Sequence, residues 1–128
     1  MTKTVFMDKY PVYTLNVKKS EVAYTNVAEI VAYFKAKIDE HPIAKFIAIF
    51  EHYEHTKALG GEILEGLRDA QNIVFCFGSA IPNTKVLAIR PRSIAVCEME
   101  DSFVIEFMEA PKEEINTLME TWVKALVA

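Results

Sequence analysis

With 128 residues the chain has room for one hydrophobic core, since a single domain usually spans about 100–200 residues. Its 52% hydrophobic and 25% charged residues exclude a disordered polypeptide and suit a domain that is stable without disulfides or a structural metal. A net charge of −4 gives no general field for phosphate backbones, so nucleic acid is not an expected partner.

In chain order, Tyr10–Lys18 alternates loosely through Val12, Leu15 and Val17 and reads as a strand. Asn26 then offers a helix cap, with Glu29 three residues on, as a capping box requires. Val27, Ile30, Val31, Phe34 and Ile38 fall on one stripe of a 3.6-residue period, and the helix is expected to stop near His41, before Pro42. Lys45–His55 reads as a strand, because Phe46-Ile47-Ala48-Ile49-Phe50 is β-branched and aromatic. A helix there would carry Pro42 inside it, at a cost of ~3 kcal/mol.

Glu62–Ala70 reads as a short helix after a Gly60-Gly61 turn, and Ile73–Ser79 as an apolar strand. Lys85–Ile89 and Arg92–Glu98 read as strands broken at Arg90-Pro91, followed by a turn and a strand over Phe103–Glu109. The last helix starts at Pro111 and repeats Ile115, Leu118, Met119, Trp122, Val123 and Leu126 at helical spacing. The expected architecture is α+β: one domain over 1–128, a two-layer sandwich with a mixed or antiparallel sheet and helices on a face, in the order β-α-β-α-β-β-β-β-α.

No window approaches the ~20 apolar residues of a membrane span, and the first ten residues lack a signal-peptide core. The expected location is the cytoplasm, with no membrane partner. Cys76 and Cys97 sit inside apolar runs without metal-ligand spacing and read as reduced thiols.

Several stretches resemble the domain of unknown function 302 family. They are Ile49-Phe50-Glu51-His52, the apolar Ile73-Val74-Phe75-Cys76-Phe77 run followed by Gly78-Ser79-Ala80, the step from Arg90-Pro91-Arg92 to Val96, and Phe103-Val104-Ile105-Glu106. Ser79-Ala80 stands where that family has Asn-Pro, and Arg90 replaces the aliphatic residue before the proline. The resemblance implies a two-layer, dimeric α/β domain without an established activity.

Three histidines, His41, His52 and His55, lie within fifteen residues of one another. On a strand, His52 and His55 point to opposite faces, which argues against a shared metal. His52, at the strand's end, is a candidate anion binder or proton carrier, near Ser79 if the two strands are neighbours, with Glu54 to orient it. Arg90 and Arg92 form a candidate fork for a small anion, because guanidinium groups grip carboxylates in two-pronged fashion. The blander reading is that these charges keep a strand edge from pairing.

No nucleophile elbow, phosphate-cradling loop or metal motif is present in the sequence. The leading expectation is a homodimeric small-ligand-binding or interaction domain using His52, Ser79, Arg90 and Arg92, with its cofactor, if any, unspecified. One alternative is an enzyme with His52 as general acid/base, Glu54 beside it, and Arg90 or Arg92 holding an anionic substrate. The other is a metal- or haem-associated protein using His52 and His55.

Overall fold

The structure, a computed structural model, describes residues 1–127. It is α+β, with one open sheet of six strands, all antiparallel, and four helices. The strands are β1 (Thr2–Phe6), β2 (Tyr10–Lys18), β3 (Ala44–Phe50), β4 (Asp69–Phe77), β5 (Arg92–Glu98) and β6 (Ser102–Met108). They are ordered β1-β2-β6-β5-β4-β3 across the sheet. The helices are α1 (Val27–Glu40), α2 (His52–Ala58), α3 (Lys85–Ile89) and α4 (Glu113–Lys124).

The pattern of buried residues fixes which face of the sheet is covered. Ile73, Phe75 and Phe77 of β4, Ile94 and Val96 of β5, and Phe103, Ile105 and Phe107 of β6 are all buried. Side chains alternate along a strand, so all eight share one face. Against them lie the expected stripe of α1 and, from α4, Met119, Trp122 and Val123. The Trp122 ring stacks on Phe77 at 5.7 Å, and its carbonyl accepts a 2.6 Å bond from the Tyr33 hydroxyl. Each large aliphatic or aromatic side chain buried here contributes about 1.5–3 kcal/mol, so this layer carries the fold. No described helix is long and apolar enough to cross a membrane.

Asn26 caps α1 by accepting the Glu29 N–H at 2.8 Å. The Glu29 carboxylate reaches past it to the backbone and hydroxyl of Thr25, at 2.7 and 2.6 Å. Those bonds hold the Glu29 carboxyl below its ordinary range.

Several local expectations are corrected. The strand expected over Lys45–His55 ends at Phe50, and His52 begins a helix. The half-buried Tyr53 and Thr56 lie three apart, so the helical period takes over where the apolar run stops. Gly60-Gly61 does not open a helix over Glu62–Ala70; it closes α2. Gly60 stands at φ +68, its N–H reaches the Lys57 carbonyl, and the Gly61 N–H reaches Thr56, both at 3.0 Å. The chain then turns without a helix until β4 starts at Asp69.

Lys85–Ile89 coils where a strand was expected. The Asn83 side chain accepts the Val86 N–H at 3.2 Å and caps the turn, which outweighs the β-branched composition. The hairpin strand β1 adds to the expected order; every one of its residues is exposed.

Candidate functional site

The face of the sheet away from α1 and α4 carries two chemically distinct regions, one at each end of β4. Antiparallel pairing sets Phe50 opposite Asn72 and Ala44 opposite Phe77. The C-terminal end of β3 therefore lies beside the start of β4. From Asn72 to Phe77 is five residue steps, about 16 Å along a strand. His52 sits at the Asn72 end, whereas Ser79 and Arg90 lie past the Phe77 end. The two strands are neighbours, but their opposite directions separate the residues that sequence reasoning had grouped.

At the Asn72 end, His52 Nδ1 lies 3.0 Å from the Asn72 side-chain oxygen. That oxygen only accepts, so the imidazole is the donor, from Nδ1. The rings of His52 and His55 both lie against Phe50, at 4.8 and 5.3 Å between centroids. Being three apart on α2, they share a side, and the expectation that they diverge does not hold. Glu54 is exposed on the same short helix, and the bonding partner of His52 is Asn72 instead. Among the described residues no three His, Cys, Asp or Glu side chains are placed to hold a metal. His41 lies elsewhere, edge-on to Phe77 and Trp122.

At the other end the chain leaves β4 through Gly78, at φ +114, a conformation that side chains rarely tolerate. A Cβ there would collide with the Arg90 guanidinium, coming within 2.9 Å of its central carbon. Glycine thus leaves the space that the Arg90 guanidinium occupies beside the backbone. Its Nη1 donates to the Ala80 carbonyl at 3.1 Å. Around it opens a pocket of about 440 Å³, lined by Ile47, Cys76, Gly78, Ser79, Ala80, Ile81, Leu87, Arg90 and Pro91. Of the four candidate ligand-binding residues, Ser79 and Arg90 meet here.

Arg92 does not join them. It shares the parity of Ile94 and Val96, so it points to the helix-covered side and donates to the Met108 carbonyl. Its Nε is buried without a partner, and burial lowers the guanidinium pKa from its ordinary value. Cys97 also lies outside the pocket, across from Ala70 near the start of β4. Burial and the nearby Glu106 carboxylate push its thiol up. A wider hollow at the start of α4, beside Lys112, Glu113, Glu114 and Thr117, has only exposed polar walls and would give a ligand no fixed seat.

The whole chain, residues 1–128, matches the model of the Family of unknown function (DUF6858). The chain belongs to that family. This match overturns the resemblance to the domain of unknown function 302, which rested on patterns rather than identities. No curated protein and no solved structure matches the chain. In this DUF6858 chain the Gly78-Ser79-Ala80 segment, which had suggested the other family, forms one wall of the pocket.

Sequence reasoning nominated Ser79 and Arg90 but missed Ile47, Cys76, Ile81 and Leu87. Two signals were available. Ile81, Leu87 and Ile89 follow Gly78 closely and are mostly exposed, which is costly for aliphatic side chains without a covering partner. The run from Ala70 to Cys97 also contains Lys85, Arg90 and Arg92 but no Asp or Glu, in a chain that is acidic as a whole.

Proposed function

We propose that this DUF6858 chain is a small-ligand-binding domain and that its ligand sits between Gly78, Arg90 and the aliphatic side chains of Ile47, Ile81 and Leu87. The observation that carries this reading is the pocket itself: mostly apolar walls around few polar side chains, Arg90 and Ser79, the usual make-up of a small-molecule site. Catalysis by His52 finds no support in the geometry, since that imidazole lies at the opposite end of β4 from both Ser79 and Arg90. The two imidazoles on Phe50 give a chelated metal ion only two ligands.

The test is titration with a neutral, polarity-sensitive dye such as Nile red. Wild-type protein is expected to enhance its emission saturably at one site per chain. Ile81→Asp and Leu87→Asp, both at positions more than half exposed, should abolish the enhancement without unfolding the chain. Equal enhancement by the variants, or no saturation in the wild type, removes the pocket as a binding site.

A homodimer belongs to the same proposal. The apolar sides of β6 and α4 are consumed by the chain's own core; of the two sheet edges, β1 with exposed Val5 and Phe6 and β3 with Ile49 and Phe50 each 41% exposed, we take β3 as the seam. Sedimentation at micromolar concentration should show twice the 14.5 kDa chain mass; the monomer alone would eliminate the dimer and leave the pocket untouched.

A further inference from the structure

We propose that the ligand is a compact monocarboxylate with an aliphatic or aromatic body, its carboxylate on Arg90 and its body against Ile47, Ile81, Leu87 and Pro91. This inference rests on the pocket reading above and adds the charge and class of what enters.

Arg90 is permanently charged and has five N–H donors. Its described bond goes to the Ala80 carbonyl, and none of the ion pairs among the described residues involves it. No acidic residue lines the pocket, and none occurs between Ala70 and Cys97. Lys45 adds to the same positive field: it is paired with Cys76, so its side chain leaves β3 on the pocket's side of the sheet. The chain therefore gathers uncompensated positive charge around one aliphatic hollow while carrying a net charge of −4.

A neutral ligand can fill this hollow, but it meets the charged guanidinium with at most an uncharged acceptor and so binds less tightly than one that brings a negative charge. A carboxylate answers both requirements, because its two oxygens match the planar guanidinium fork. Inorganic phosphate satisfies the charge but has no apolar body to cover Ile81, Leu87 and Pro91. The guanidinium already lies beside the Gly78 backbone and is bonded to the Ala80 carbonyl, which aims it along the pocket wall before a ligand arrives. At about 440 Å³ the pocket is at the small end of ligand sites, roughly 300–1,000 Å³, so the body is short.

The experiment displaces bound Nile red from wild-type protein at pH 7 with octanoate, octanol, octylamine and inorganic phosphate in parallel. Octanoate should compete roughly tenfold or more better than octanol, the factor expected of a hydrogen bond to a charged group. Octylamine and phosphate should be weaker still. Arg90→Gln should bring octanoate and octanol within about twofold of each other, chiefly by weakening octanoate, and Arg90→Lys should fall between.

A readout that needs no variant is alkylation by iodoacetamide. Octanoate should slow the reaction at Cys76, which lines the pocket, and leave Cys97 unaffected. Equal competition by octanoate and octanol, phosphate competing best, or dye that none of the four displaces would each overturn the carboxylate assignment and leave the pocket standing. Failure of the dye to bind at all would instead remove the pocket, and with it this inference.

Discussion

At its start β4 meets the imidazoles of His52 and His55, side by side on Phe50 in open solvent; at its end it runs into Gly78 and the hollow around Arg90. The first end has the more familiar catalytic side chains and no enclosure. The second has one guanidinium and mostly aliphatic neighbours around an open hollow, with that guanidinium against the Gly78 backbone and bonded to the Ala80 carbonyl. A binding site depends on enclosure and fixed position as well as on reactive groups. By that standard the Arg90 end is the better candidate, although the His52 end looks richer in a sequence.

The most damaging way to break this contrast is at Gly78. Gly78→Ala forces a side chain into a conformation that L residues avoid and pushes the new carbon into the Arg90 guanidinium. We expect a loss of about 1–3 kcal/mol in stability by urea unfolding, together with loss of the octanoate preference. A variant as stable as the wild type, with selectivity intact, would show that the guanidinium is not held by the backbone beneath it.

A smaller effect is expected at the opposite end. His52→Ala removes one exposed bond to Asn72 and a ring contact with Phe50, costing less than about 1 kcal/mol. Dye binding and octanoate preference should not change. If they do, the two ends of β4 are coupled and the separation drawn between them is false.

The contrast also explains what could be read from the sequence. The helices α1 and α4 announced themselves because fourteen and twelve residues give a full apolar stripe, and all five stripe residues of α1 are buried. The strands β5 and β6 were legible because each buries one face and half-exposes the other. The seven-residue α2 and five-residue α3 are too short to show a period; backbone caps at Gly60 and Asn83 decide them. The exposed β1 buries no face, and its turn uses Met7 and Asp8 at φ 55 and 58, where glycine or asparagine is the usual signal.

For the site, charge and turn residues were enough to nominate Ser79 and Arg90. Only strand direction could show that His52 lies far from them, and only the fold could bring Ile47, unpaired at the register shift of β3, into one pocket wall with Cys76. Arg90 and Arg92 differ by two in sequence yet part company, because the helical turn of α3 ends at one and β5 begins at the other.

The smallest expected effect concerns the far edge of the sheet, which the contrast leaves out. Lys3 of β1 lies 2.7 Å from Glu109, which also accepts a 3.1 Å bond from the Tyr13 hydroxyl, so one carboxylate pins the hairpin to the end of β6. Lys3 and then Tyr13 hold the Glu109 carboxyl below its ordinary value, while the bond to Glu109 raises the Lys3 ammonium above 10.5. The carboxylate's contribution is thus present above its unfolded pKa and is lost as pH falls through the lower folded one; that of the ammonium persists until pH rises through its raised value. In Glu109→Gln, amide exchange in Thr2–Phe6 should be faster than in wild type at neutral pH, and the difference should close on acidification, once the wild-type carboxyl is itself neutral. Exchange in β4 should stay the same throughout. Faster exchange at Ile73–Phe77 would mean that the hairpin supports the strand carrying the pocket, and that the edge and the site are one cooperative unit.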